Sequence, residues 1–155
     1  SQERPLALLS SGGMDGFPFS MRVAQSADIL WIVPDRFSVA DDDRLPISAF
    51  EEWSYVDLVA SVDVLVGKPG YGLITEAVSN GVPFASLERR GWVDVESLEE
   101  WGDRHGRLRR ISATDIASGD WTRQIADLAW GPKPTAFRPT GVDDAVAVLE
   151  EILDL

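Results

Sequence analysis

Short runs of consecutive apolar residues alternate along this chain with segments whose apolar positions recur at helical spacing. Leu6 to Leu9, Ile29 to Val33, Val64 to Val66 and the 82–87 stretch are almost unbroken. Continuous rather than alternating apolarity is the mark of strands covered on both faces, as in a parallel sheet. The pattern predicts strands over residues 6–10, 29–33, 63–66, 82–87 and 108–111, with a short one at 45–48. Helices are predicted over 18–25, 53–61, 73–80, 95–101, 119–130 and 143–153. Pro18 suits a first helical turn, and Asn80-Gly81 a helix end. Residues 34–44, with Asp41, Asp42 and Asp43, read as a surface loop, and 132–139 as a proline-rich crossing. The alternation implies an α/β fold, a Rossmann-like single domain with a doubly wound, mainly parallel sheet. Such sheets bind ligands beyond the carboxyl ends of their strands, so chemistry is expected in residues 10–16, 67–76 and 88–92.

Length agrees with one domain: at 155 residues a chain buries about 70% of the surface exposed when unfolded. No apolar run exceeds five residues, which excludes a membrane span built on one continuous run. The chain has no Cys, which removes thiolate catalysis and fits a reducing, cytoplasmic compartment. A formal charge of −12 repels nucleic acid and acidic lipid. Of the 14 cations, seven lie between Lys68 and Arg110, so anion binding is expected there. Arg104, Arg107, Arg109 and Arg110 read equally as offsets to Glu99, Glu100 and Asp103 on a solvated face.

Pro69-Gly70-Tyr71-Gly72, between a buried strand and a helix, is the most informative stretch. Glycines there let backbone N–H groups approach an anion such as a diphosphate at the helix N-terminus. Leu73, Ile74, Ala77 and Val78 form the packed face of that helix. Glu76 lies on the opposite face, where a carboxylate can accept two hydroxyl hydrogen bonds, as a ribose offers. A tight turn, with Glu76 favoured by the helix dipole, explains the same spacing equally well.

The block from Tyr55 through Asp63-Val64-Leu65-Val66-Gly67-Lys68-Pro69-Gly70-Tyr71-Gly72 and Thr75-Glu76-Ala77 to Asn80-Gly81-Val82-Pro83 resembles the donor-binding core of GT-B nucleotide-sugar glycosyltransferases. It is similar to the C-terminal half of KPGYG-type relatives of the lipid II-forming N-acetylglucosaminyltransferase and the UDP-glucuronosyltransferases. The resemblance implies that Glu76 holds the uridine ribose and that Gly70, Tyr71, Gly72 and Thr75 line the diphosphate loop. It also implies that Ser11, Gly12 and Gly13 form the glycine-rich loop near the donor, with Lys68 beside the phosphates. Where many active relatives carry an acidic-Gln or Asn-Gln pair that reads the sugar, this chain has Glu88-Arg89-Arg90-Gly91-Trp92. Arg90 and Trp92 are the candidates there to touch phosphate or sugar, with packing as the other reading of Trp92.

GT-B enzymes bind the acceptor, and usually hold the base, in an N-terminal domain. Residues 1–155 match the donor half alone, so that domain is expected on a preceding segment or a partner subunit, and the isolated chain is expected to transfer no sugar. The implied function is donor binding for transfer from a UDP-sugar, with no cofactor besides this donor substrate. The alternative is a non-catalytic nucleotide-sugar binding or assembly module. An NAD-dependent oxidoreductase is disfavoured because no G-x-G-x-x-G follows the first strand. No residue cluster has metal-ligand spacing. His105, at a predicted helix end, reads as a surface or capping residue, and Trp31, Trp53, Trp121 and Trp130 as core.

Overall fold

A computed structural model describes residues 3–10, 28–37 and 43–153; the predicted helix at 18–25 lies outside them. Six strands, β1 (Leu6–Ser10), β2 (Leu30–Val33), β3 (Arg44–Pro46), β4 (Val64–Gly67), β5 (Phe84–Leu87) and β6 (Leu108–Ile111), form one sheet in the order β3-β2-β1-β4-β5-β6. Every pairing is parallel, with Leu8 opposite both Ile32 and Leu65, and Ser10 opposite Gly67. All the strands therefore end along one edge. The direction of winding reverses between β1 and β4, which opens a crevice above that point.

Alternate strand residues pack to opposite sides, as the pleat requires. Leu9, Trp31, Val33, Val66 and Leu87 share one core with Trp121, Ile125 and Leu128 of α5 (Trp121–Trp130). Leu8, Ile32, Leu65 and Phe84 share the other core with α1 (Tyr55–Ala60), α2 (Tyr71–Asn80) and α3 (Val95–His105). Burial on both faces accounts for the unbroken apolar strand sequences. The short helix α4 (Ala113–Ser118) was not predicted. It has no buried residue and rests on a capping box, Ser112 and Asp115 each bonding the other's backbone N–H.

Two tryptophans depart from the expected core. Trp31 and Trp121 are buried with ring centroids 5.7 Å apart, but Trp53 and Trp130 are 52% and 60% exposed. Trp130 follows Trp121 by nine residues, half a turn out of phase on a helix, so it faces away from the sheet. Trp53 precedes the Ser54 N-cap of α1 and stands edge-on to Phe50.

Of the arginine group expected either to bind anions or to offset neighbouring acids, Arg110 offsets Glu99 as expected, whereas Arg107 and Arg109 fasten a helix. Arg107 donates to Leu128 O and Pro132 O at the end of α5, and Arg109 donates to Gln124 O. Arg110 Nε lies 2.6 Å from Glu99 Oε2, and Ser86 Oγ donates to Glu99 Oε1 at 2.5 Å. The Glu99 side chain is buried, whereas that of Arg110 is 58% exposed. Arg110→Gln is therefore expected to cost about 1–2 kcal/mol, less than a fully buried pair would lose because one partner meets water. Adding Glu99→Gln should recover most of that loss, since no buried charge then lacks a partner. Urea unfolding of the two variants measures both effects.

Residues 131–140 cross beneath the opposite ends of the strands. Lys133 pairs with Asp63 at 3.0 Å, and Phe137 N donates to Val78 O. Gly81 ends α2 in the left-handed region (φ 65°), and a Cβ there would lie 2.7 Å from Pro134 O. His105, expected to be a surface or capping residue, packs its ring between Trp101 and Phe137, with centroids 5.0 and 4.9 Å away. The last helix, α6 (Gly141–Leu153), buries no side chain, and Val142, Val146, Leu149 and Leu153 follow one another along one exposed stripe. Among the described residues no helix is long and apolar enough to cross a membrane.

Candidate functional site

The crevice above β1 and β4 is a cavity of about 550 Å³. Its lining comes largely from the residues that end or directly follow the strands: Ser10, Pro34, Ile47, Lys68 and, two residues past β5, Arg89. Gly70, Gly72, Leu73 and Glu76 of the β4–α2 turn complete one side, with Tyr55 and Trp92 on others. Among the described residues the walls are mainly apolar, and their charged groups are two cations and one carboxylate. That composition suits an amphipathic ligand held by a few oriented polar contacts.

The two glycines have a particular meaning here. Gly70 caps α2 with φ −159°, extended backbone that any residue adopts, and Gly72 is helical. A Cβ on either would meet nothing within 4 Å among the described residues. Among the described residues neither turn conformation nor packing demands glycine at these positions. What the missing side chains leave is open space beside the first turn of α2, where backbone N–H groups lack intrahelical partners.

Glu76 stands one turn further along α2 on the cavity wall. Burial raises its carboxyl above the ordinary glutamate range. Across the cavity, Tyr55 donates its hydroxyl to Ser10 Oγ at 2.8 Å. Burial raises the phenol, the Ser10 bond opposes that shift, and the Glu76 charge adds to it. The Tyr55–Ser10 bond ties the start of α1 to the end of β1, next in sequence to Ser11, Gly12 and Gly13. Those three predicted site residues lie outside the described residues.

The loop after β5 contributes a different arginine from the one singled out in the sequence. Arg90 Nε pairs with Glu88 Oε1 at 2.6 Å, and Glu88 also accepts from Ala113 N at 2.7 Å, so Arg90 is directed towards α4. The Ala113 N–H first, and Arg90 second, hold the Glu88 carboxyl below its usual range. Arg89 faces the cavity. Gly91 adopts φ 81°, turning the chain so that the Trp92 ring lies under the Arg89 guanidinium, 3.3 Å from its carbon. Arg89 also makes a long 3.4 Å contact to Pro69 O. Burial, followed by the neighbouring Arg89 charge, lowers the Lys68 ammonium below the ordinary lysine value.

Lys68, Gly70, Gly72 and Glu76 are thus brought together by the fold, while other predicted members are not. Tyr71 is exposed, its hydroxyl 3.5 Å from Asp94 Oδ2. Thr75 Oγ1 is 2.6 Å from Tyr71 O and 3.1 Å from Gly72 O, both within its own helix. Ser10 and Arg89 fall in segments where chemistry was expected without being singled out, and Tyr55, Pro34 and Ile47 are cavity residues that sequence reading missed. For Arg89 the signal was present in the arginine pair after a strand; for Tyr55 nothing local marks it. Among the described residues no group of three or more His, Cys, Asp or Glu could hold a metal ion.

A crystal structure described as the glycotransferase of kitacinnamycin matches this chain with a TM-score of 0.58 at 22% sequence identity. The match covers 83% of this chain and 36% of that one. The two share a glycosyltransferase-like Rossmann fold, and the present chain spans little more than a third of the length of its neighbour. No protein-family model matches the sequence, and no curated protein does.

Proposed function

We propose that this chain is the donor-nucleotide-binding domain of a glycosyltransferase-like protein that uses a UDP-sugar. The supporting observation is the convergence, in one cavity beyond the strand ends, of two open glycines at the start of α2, a lysine and a half-buried glutamate. Each group has a role with a physical basis. The α2 backbone N–H groups and Lys68 receive the diphosphate and stabilise its charge as it departs. Glu76 accepts the two ribose hydroxyls, and the apolar wall from Pro34 and Ile47 covers the base. Held at both ends of its nucleotide, the donor presents its sugar outward from the strand ends, where a second domain or subunit brings the acceptor and the base for displacement at the anomeric carbon.

Calorimetry tests this reading. UDP or a UDP-sugar is expected to bind the purified chain more tightly than ATP or NAD, with and without a chelator, while the chain alone transfers no sugar. Equal affinity for UDP and ATP would reduce the cavity to a generic phosphate site. Robust transfer by this chain alone would sink the two-part assignment. The alternative, a non-catalytic nucleotide-sugar module, predicts the same binding but no transfer when the acceptor-binding partner is supplied.

A further inference from the structure

Tyr55 and Ser10 have no part in that scheme, yet both line the cavity and their hydroxyls are bonded to each other. The pleat of β1 decides where Ser10 points. Leu8 and Leu65 belong to the core under α1 and α2, and Leu9 and Val66 to the other, so Ser10 and its β4 partner Gly67 turn towards those two helices. Gly67 is drawn in tightly. A Cβ there would lie 2.6 Å from Ser10 O and 3.0 Å from Leu73 Cδ1, so the missing side chain lets the end of β1 close on the turn that carries Lys68 and Gly70. A serine hydroxyl has one proton to give and lone pairs to receive. Tyr55 donates to Ser10 Oγ at 2.8 Å, which leaves the serine proton to point elsewhere. Among the described residues none accepts it. A hydroxyl that already accepts a hydrogen bond is the better donor, because each bond in a chain polarises the next. The phenol at the other end is fixed, since the half-buried Tyr55 ring packs against the core around Leu58 and directly follows the Ser54 N-cap of α1.

We infer that Ser10 is a further binding residue of this cavity, donating its hydroxyl to a phosphoryl oxygen held beside Lys68 and the α2 amides, and that Tyr55 is a positioning residue acting through Ser10. The inference rests on the proposed nucleotide site and adds to it a neutral donor from the β1 side of the crevice, facing the cation and amides of the β4 side. A phosphoryl oxygen suits the end of the Tyr55–Ser10 chain because it accepts and needs no acceptor in return.

The test uses inorganic pyrophosphate, which carries no nucleoside, alongside UDP, each titrated into the whole chain, with melting curves to confirm folding. Ser10→Ala should weaken both by about tenfold, the scale of a lost hydrogen bond to a charged group. Tyr55→Phe keeps the packed ring and removes only the hydroxyl, so it should weaken both by a smaller factor. In the double variant the Tyr55 change should add nothing to the Ser10→Ala loss, since its effect passes through the serine. The NMR shift of the Tyr55 Cζ carbon, which follows the hydrogen bonding of the phenol, gives a readout that needs no variant. It should move when pyrophosphate binds the wild type and stay still when pyrophosphate saturates Ser10→Ala, whereas a purely structural hydroxyl pair leaves it unresponsive in both. Unchanged pyrophosphate binding in Ser10→Ala, a Tyr55→Phe loss that persists in full without Ser10, no Cζ response in the wild type, or no pyrophosphate binding to the wild type would each overturn the inference. If UDP binds the wild type no better than pyrophosphate while Ser10→Ala still loses pyrophosphate, the nucleoside reading fails and the role of Ser10 stands. If UDP binds far better and Ser10→Ala keeps both ligands, the nucleoside reading stands and the role of Ser10 fails.

Discussion

Glu76→Ala is expected to lose UDP affinity by about ten- to a hundredfold, because two charged hydrogen bonds to ribose hydroxyls contribute roughly 1.5–3 kcal/mol. The fold should be unharmed. Glu76 lies on the cavity side of α2, whereas Ile74, Ala77 and Val78 make the buried face. Ile74→Asp is the mirror experiment. Ile74 is fully buried, so an unpaired charge there should unfold the domain at a cost above about 4 kcal/mol.

The raised Glu76 carboxyl adds a pH signature with a definite sign. Its folded pKa lies above the unfolded one, so the folded state takes up a proton more readily, and stability from this group falls as pH rises from the unfolded to the folded value. Acidification through that window should therefore stabilise the free domain. The same acidification should weaken UDP binding, because the carboxylic acid accepts less well than the carboxylate. Glu76→Gln should abolish both dependences and raise the neutral-pH melting temperature slightly. If Glu76→Ala instead unfolds the domain and leaves residual affinity unchanged, the glutamate is structural.

Most of the fold was legible because a strand buried on both faces leaves an unbroken apolar run, and β1, β2, β4 and β5 all do. Boundaries shifted where local chemistry overrode pattern. β3 stops at Pro46, where a short 3-10 turn begins, and β5 starts after Pro83. α2 begins at Tyr71, two residues before the apolar pattern, which missed its exposed first turn. α4 escaped prediction because only Ile116 packs, half-buried, against the core, although Ser112 and Asp115 carry a capping signal. At the site, Glu76 and the glycines were legible because one strand–turn–helix unit holds them. Tyr55 and Ser10 meet across 45 positions of sequence, a pairing set by sheet order and by no local period. The choice between Arg89 and Arg90 depends on Gly91 and on Glu88 being anchored at α4, and neither can be read from adjacency. The apolar stripe of α6 was correctly read as amphipathic, but amphipathicity does not say what covers it.

Gly72→Ala is expected to move binding and stability in opposite directions. The residue is helical, and an added Cβ would meet nothing within 4 Å among the described residues. Alanine restricts the unfolded chain more than glycine and should stabilise the free domain by up to about 1 kcal/mol, which is roughly 2–4 °C in melting temperature at this size. A phosphoryl group must approach the N–H groups of the first α2 turn closely, and a methyl in the same space holds it away. Losing that contact should weaken UDP by more than about tenfold, with the loss shared by pyrophosphate because it concerns the phosphates. A glycine kept for folding gives the other result, since replacing it lowers the melting temperature. A more stable Gly72→Ala variant that binds UDP as well as the wild type would show that nothing approaches the α2 backbone, and the diphosphate assignment would have to be abandoned even if Glu76 proved essential.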